Sequence, residues 1–332
     1  MVQAPEVTEY LKNKAKTLDE ISDQIDEVNL LNLKKSHIKQ LKEQGKNDIE
    51  IQKALEEEFD FDGESKFDSE KDKTGFRQYE NACDRVKNFY DEQHTKQTLE
   101  YNLRIRKEFK ETVRARMGVW EALELLNTLI DESDPDTTVP QIIHALQAAE
   151  AARKDGKPEW MQLTCLIHDL GKLLCFFGAD GQWDVVGDTF IVGCKYSEEI
   201  IYGSKSFKKN PDYYNKELQT ENGIYKPNCG LENVMISFGH DEYLYHICKT
   251  QSKLPKEGLW MIRYHSFYPW HRAGSNAYRN FMVEEDEQAL KAVRAFNPYD
   301  LYSKSDAPPV VEDLKEYYQG LIKKYFPDEL EW

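Results

Sequence analysis

The sequence predicts an all-α fold, a bundle of helices enclosing a buried metal centre, and three observations predict it. From Phe76 onward, apolar residues recur at the three- and four-residue spacing of one helix face, in segments bounded by Pro and Gly. No block of alternating residues with hairpin turns interrupts them, and there is no internal repeat. His144, His168, His240 and His265 each fall in a separate, largely apolar segment of this kind. One such histidine is more often a packed core residue than a ligand. Four of them, with Asp169 beside His168, are hard to dismiss, because helix bundles build metal sites from side chains projecting inward from facing helices.

Taken in order, residues 1–75 read as a charged N-terminal extension. Between Leu33 and Phe61 the spacing predicts one or two short amphipathic helices, with a break near Gly45-Lys46-Asn47. Residues 62–74 are polar without a core pattern and read as a mobile linker or lid over the site. His37 and His94 stand in charged surroundings and are expected to be solvated.

Residues 76–332 are expected to form the second domain. Asn81 to Val113 reads as one long helix with Val86, Phe89, Tyr90, Leu99, Leu103 and Phe109 inward. Trp120 to Ile130 is a further helix, stopped by DESDPD at 131–136, since Pro135 disfavours helical backbone at the residue before it. Pro140 opens a helix over 141–154 that Gly156 closes. Pro158 begins the next, which is expected to carry His168-Asp169-Leu170-Gly171-Lys172 and run to Gly178. Gly178 to Cys194 is a Gly- and aromatic-rich stretch, where Gly187 permits close backbone approach to a ligand. After a polar surface excursion over 204–230, Leu231 to Thr250 is expected to be helical with His240 in its middle. A helix from about Lys256 carries Tyr264-His265-Ser266, followed by an aromatic run ending at His271. Helices over Asp286 to Phe296 and Val311 to Tyr325 complete the chain.

With 332 residues, 40% of them hydrophobic and 31% charged, the chain has material for a substantial core under a wet surface. A net charge of -16 repels phosphate backbones, so no nucleic-acid partner is expected. No apolar run approaches the roughly 20 residues needed to span a bilayer, so no membrane partner is expected either. Residues 1–16 lack the apolar core of a signal peptide. The six cysteines form no CxxC pair, and Cys165 and Cys175 read as buried thiols. These features predict a soluble protein of the reducing cytoplasm, and a monomer is expected without any feature that fixes it.

Burying His168, Asp169 and Lys172 in an apolar run costs several kcal/mol unless something compensates, and a divalent cation does so. Four imidazoles, Asp169 and, as a resemblance of this ordered set to the HD-domain superfamily implies, a late aspartate suffice for two metals about 3.5–4 Å apart. Asp169 is the natural bridge, because each of its oxygens can face one metal. An all-nitrogen-and-oxygen set without thiolate suits iron, manganese or zinc. Desolvation and nearby cations favour the neutral form of an amine, so Lys172 could accept a proton. Asp241 is expected to lie behind the ligands or on the surface, His246 behind the ligands or in the core, and His271 on backbone.

The ordered set His144, His168-Asp169 and a late Asp resembles the HD-domain superfamily. More specifically, DESDPD at 131–136, HDLGK at 168–172, VVGDTF at 185–190, GHDEY at 239–243, RYHSFYPWH at 263–271, DLYSK at 300–304 and YYQGLI at 317–322 resemble the myo-inositol oxygenase family. Gly75-Phe76-Arg77-Gln78-Tyr79 extends the match upstream, and residues 1–74 resemble nothing. The resemblance implies an HD-domain-like helical bundle enclosing a di-iron centre, mixed-valent Fe(II)/Fe(III), with O2 as cosubstrate. It implies ring cleavage of myo-inositol to D-glucuronate in inositol catabolism. One iron would be held by His144, His168, Asp169 and Asp300, the other by Asp169, His240 and His265. Substrate contacts would come from Arg77, Asp131, Glu132, Ser133, Lys172, Gly187, Asp188, His265 and Ser266, with Lys304 nearby. Lys172 and Asp169 would be the catalytic pair.

The competing expectation is an HD-domain metal-dependent phosphohydrolase, which predicts basic residues clustered around the ligands. Asp131, Asp134 and Asp188 instead suit an uncharged polyol, whose hydroxyls need short acceptors. A catalytically dead binding protein is disfavoured, because no ligand position is missing.

Overall fold

The amphipathic pattern that opens at Phe76 becomes two helices, α1 (Phe76–Lys96) and α2 (Leu99–Glu111), rather than one. The break falls at Thr98, whose extended backbone and side-chain oxygen, accepting from the Tyr101 amide at 3.0 Å, make it an N-cap. The computed structural model describes residues 76–127, 141–272, 274–302 and 308–332 with the isolated Lys42, and side chains from Val86 onward except at 301–302. The 1–75 extension with its expected lid and His37, and the DESDPD loop with Asp131, Glu132, Ser133 and Asp134, therefore lie outside the described residues. So does Lys304, and Arg77 is placed only by its backbone in the first turn of α1.

Among the described residues the remaining α-helices are α3 (Val119–Asn127), α4 (Gln141–Lys154), α5 (Glu159–Ile167), α6 (His240–Gln251), α7 (Lys256–Tyr264), α8 (Tyr268–His271), α9 (Glu284–Tyr302) and α10 (Val311–Tyr325). The sheet among the described residues is two strands of two residues each, β1 (Arg116–Met117) and β2 (Leu330–Glu331). They pair antiparallel, Arg116 with Glu331 and Met117 with Leu330. Trp332 locks this tie by donating its indole N–H to the Met117 carbonyl at 3.0 Å. The predicted all-α class holds.

α4 carries Ala145, Ala148, Ala149 and Ala152, all buried, and this row of small side chains lets α5 lie close against it. Leu163 and Leu166 from α5, Leu173, Leu244 from α6, Ile262 from α7 and Phe296 from α9 fill the space where these helices meet. The ligand-bearing turns are thus set among fully buried core side chains. None of the described helices is long and apolar enough to cross a membrane.

Three boundaries differ from expectation in ways that matter for the site. The helix begun by Pro158 changes to 3-10 winding over His168–Phe176. At three residues per turn, positions i and i+3 are in line, which stacks Lys172 on Asp169. α6 does not start at Leu231. Residues 234–239 run extended, with Ile236 bridged to Ile191 and Ser237 N donating to Phe190 O at 2.7 Å, so His240 becomes the first helical residue. α9 continues through Pro298 to place Asp300 in its last turn.

His94 corrects another expectation. It is buried, stacked on Phe207 with ring centroids 4.0 Å apart, and paired through Nδ1 with Ser206 Oγ at 2.7 Å. Burial lowers its pKa to about 3, so it packs as a neutral aromatic.

Glu242, 1% exposed, ties α2, α6 and α7 together. Arg106 donates to it at 2.7 Å, and Arg263 donates from the other side. Burial by itself would raise the Glu242 pKa, but the Arg263 and Arg106 guanidiniums hold it at about 2. A depressed folded-state pKa contributes stability that is complete above the ordinary value of 4.5 and is lost as pH falls toward about 2. Glu242→Ala, leaving two buried guanidiniums unpaired, is expected to lower unfolding free energy by about 3–5 kcal/mol in urea titration. An unchanged midpoint would show the pair to be dispensable.

Candidate metal centre

His144 comes from the first turn of α4, His168 and Asp169 from the start of the 3-10 segment, His240 from the first residue of α6. His265 follows directly on α7, and Asp300 closes α9. Six side chains from five places in the sequence meet at one point, and all are buried.

Asp169 is the hinge of the arrangement. Its Oδ2 faces His168 Nε2 at 3.4 Å and His144 Nε2 at 3.9 Å, while its Oδ1 faces His240 Nε2 at 3.4 Å and His265 Nε2 at 4.0 Å. Asp300 Oδ1 completes the first side, 3.0 Å from His168 Nε2 and 3.6 Å from His144 Nε2. The residues form two groups able to hold a metal ion, His144–His168–Asp169 and Asp169–His240–His265.

The imidazoles are oriented for this. His168 Nδ1 lies 2.8 Å from Cys165 O, His240 Nδ1 2.7 Å from Val185 O, and His265 Nδ1 2.9 Å from Ile262 O. A carbonyl only accepts, so each Nδ1 carries the proton and donates it, which leaves Nε2 with a lone pair pointing inward. Backbone partners of this kind fix both tautomer and ring angle of metal-binding histidines. His265 is steadied further, since His271 Nε2–H donates to its carbonyl at 2.8 Å. That is the backbone role expected of His271, whose burial lowers its pKa to about 3.

The electrostatics favour a cation. Burial would raise the Asp169 pKa, yet Lys172 and His168 hold it well below the usual carboxylate range, and Asp300 is likewise held low, chiefly by His168. His168 moves the other way, its burial outweighed by Asp169 and Asp300. Such a pocket stabilises positive charge between its rings and carboxylates. Cys165 lies behind His168, but burial pushes its thiol pKa up, so it stays a protonated packing group. The donor set is nitrogen and oxygen, and it fits divalent metal ions.

Lys172 Nζ donates to Asp169 Oδ2 at 2.9 Å, at the edge of the first group. Gly171 is required by the fold around it, because a Cβ there would sit 2.0 Å from the His240 carbonyl oxygen. Gly187, at φ +100°, turns the chain where a Cβ would meet Phe89 and Gln93. Next to it Asp188 accepts a hydrogen bond from the Tyr90 hydroxyl at 2.9 Å, while its amide donates back to the same oxygen at 3.0 Å. Ser266 Oγ donates to Asp241 Oδ1 at 3.2 Å.

Sequence reading missed two participants. Tyr90 was expected only to face inward, whereas it holds Asp188. Asp241 was expected behind the ligands or on the surface. It is fully buried, and its Oδ1 is 2.9 Å from His240 Nε2 and 3.0 Å from His265 Nε2. The second His-Asp doublet was the available signal. His246, expected behind the ligands or in the core, is instead half-exposed, 3.8 Å from Glu242 and outside the cluster, because its place on α6 turns it away from His240.

The sequence model of the myo-inositol oxygenase family matches residues 83–332. The chain is 52% identical over 273 residues to an inositol oxygenase of Dictyostelium discoideum, covering 80% of this chain and 92% of that protein. It is 51% identical over 264 residues to a probable inositol oxygenase of Oryza sativa subsp. japonica, covering 77% and 85%. To an inositol oxygenase of Danio rerio it is 46% identical over 267 residues, covering 79% and 95%. With the HDLGK segment carrying both faces of Asp169 and the imidazoles of three further helices closing on it, this chain belongs to the myo-inositol oxygenase family.

Proposed function

We propose that the chain is an inositol oxygenase that cleaves the ring of myo-inositol with O2 to give D-glucuronate, using two iron ions. The observation that carries the reading is the division of Asp169, one oxygen toward His144 and His168 and the other toward His240 and His265. One iron falls to His144, His168, Asp169 and Asp300, the other to Asp169, His240 and His265. The iron pair, when bound, supplies oxygen activation and the electron acceptor that a ring of alcohols needs.

The protein's own groups hold the substrate and manage its protons. Lys172 Nζ, fixed against Asp169, is placed to take the proton of a ring hydroxyl as that oxygen enters the centre. Asp188 offers a carboxylate whose direction Tyr90 sets, and Ser266 offers a hydroxyl. Gly187 brings this loop close, while Arg77, Asp131, Glu132 and Ser133 contribute the remaining contacts, with His265 beside them. Short acceptors of this kind suit an uncharged polyol and repel a phosphate ester. The catalytic unit is residues 76–332, and the enzyme works as a cytoplasmic monomer.

The test is oxygen uptake and glucuronate formation by iron-loaded protein on addition of myo-inositol. Phosphate release from a phosphate ester by manganese-loaded protein, with no oxygen uptake, would overturn the reading. Lys172→Met is expected to keep its iron and lose about 10²–10⁴-fold in kcat, the range of a positioned proton acceptor. Full activity in that variant would remove Lys172 from the proton path.

A further inference from the structure

We infer that Tyr202 is a positioning residue for the substrate: its ring closes over Tyr90 and so fixes the direction in which the Asp188 carboxylate meets a ring hydroxyl. The inference rests on the reading of Asp188 as a substrate contact given above, and it adds the residue that keeps that contact in place.

The first observation is backbone strain. Tyr202 has φ +60°, in the left-handed region, where a bulky side chain is an outlier and glycine or asparagine is the usual occupant. Gly203 follows at φ +68°, so two successive residues turn the chain back on itself. A conformation of this kind persists only where its surroundings over-determine it, and here they do. The Gly203 amide donates to Ile200 O at 2.8 Å, the Ser204 amide to Glu198 Oε2 at 3.3 Å, and Ser206 Oγ to Gly203 O at 2.6 Å. Just beyond, the segment is strapped to α1. His94 Nδ1 lies 2.7 Å from Ser206 Oγ, and Asn210 Nδ2 donates to the His94 carbonyl at 2.9 Å. Glycine at 202 would satisfy the same turn without strain, so the tyrosine ring must have a duty of its own.

The second observation is where that ring goes. Tyr202 is 45% exposed, yet its ring stands edge-on to Tyr90 with centroids 5.8 Å apart. Tyr90 is fully buried, with the rings of Phe89 at 5.0 Å and His94 at 5.5 Å on its own helix. An exposed ring set against a buried one acts as a cover. Beneath it the Tyr90 hydroxyl donates to Asp188 Oδ1 at 2.9 Å and accepts from the Asp188 amide at 3.0 Å. Burial, then the Asp188 carboxylate and finally Tyr202 push the Tyr90 pKa well up, so the phenol keeps its proton for that bond. With the cover gone, water competes for the Tyr90 hydroxyl and the carboxylate is free to turn. A polyol that needs an acceptor aimed in one direction then binds less tightly, because the site is no longer pre-organised.

The test compares iron-loaded, full-length variants by oxygen uptake and glucuronate formation over a range of myo-inositol concentrations. Tyr202→Gly suits the backbone and removes the ring. It is expected to raise KM about 10-fold, the worth of one hydrogen bond to a charged group, with kcat and iron content close to wild type. A merely structural role would instead lower kcat, iron content and melting temperature together, and that pattern would count against the inference. Tyr202→Phe keeps the ring and is expected to restore most of the affinity. In a Tyr90→Phe background, which has no hydroxyl to shield, Tyr202→Gly is expected to add nothing further. An unchanged KM in Tyr202→Gly, or the same rise with and without the Tyr90 hydroxyl, would overturn the assignment. If the glycine variant does not fold, Tyr202→Asn, also at home at positive φ, is read by the same criteria. Should Asp188→Ala bind myo-inositol as wild type does, the reading of Asp188 falls instead, a result obtained without any change at Tyr202.

Discussion

Asp169→Ala is expected to empty both halves of the centre and abolish turnover. The same carboxylate faces two imidazole pairs through different oxygens, so its removal deprives each half of an anionic donor at once. It also takes from buried Lys172 the carboxylate it holds at 2.9 Å, so the site loses negative charge where a cation should bind. Metal-centred charge stabilisation is worth several kcal/mol, so loss of the ions predicts a fall in kcat/KM of at least about 10³-fold. Metal analysis and glucuronate assay on one preparation check both consequences. A variant that keeps two ions, or keeps half its activity, would deny Asp169 the shared position.

Gly171→Ala should harm the protein through geometry alone, with no donor atom changed. The added methyl would lie 2.0 Å from the His240 carbonyl oxygen and 2.8 Å from its Cα, both backbone atoms. That backbone cannot simply retreat, since the His240 amide donates to Val185 O at 2.9 Å and its ring to the same carbonyl. Overpacking of this kind costs about 1–3 kcal/mol, more where backbone is the obstacle. Displacing the start of α6 carries His240 away from Asp169, so the ion on the His240 side should be lost before the one on the His144 side. Gly320→Ala in α10 is the control, because nothing lies within 4 Å of a Cβ there, and an alanine should stabilise that helix by up to about 1 kcal/mol. Equal melting temperatures for the two variants would mean that the contact at Gly171 yields freely.

The all-α class and most helices were legible because amphipathic spacing is a local signal. The helices at Gln141–Lys154 and Val311–Tyr325 start and stop where Pro140, Gly156 and the spacing of Leu314, Tyr318, Leu321 and Ile322 say they should. The same locality explains the failures. Asn81 to Val113 has one continuous apolar stripe, and only Thr98 turning its side chain onto the next turn divides it. His94 sits among charged neighbours in sequence, but Phe190 and Phe207, about a hundred residues on, enclose it.

The candidate site divides along the same line. Sequence by itself determined the helical class, the donor chemistry of His144, His168, Asp169, His240, His265 and Asp300, and the family, because residue type and order carry that information. Tertiary structure alone decided which oxygen of Asp169 faces which pair of rings, that Lys172 stacks on Asp169, and that Asp241 stands nearest His240 and His265. Those facts depend on where α6 begins and how the 168–176 segment winds. Both are set by backbone pairing between residues 185–191 and 236–240, some fifty positions apart, and by the His240 carbonyl pressed against Gly171.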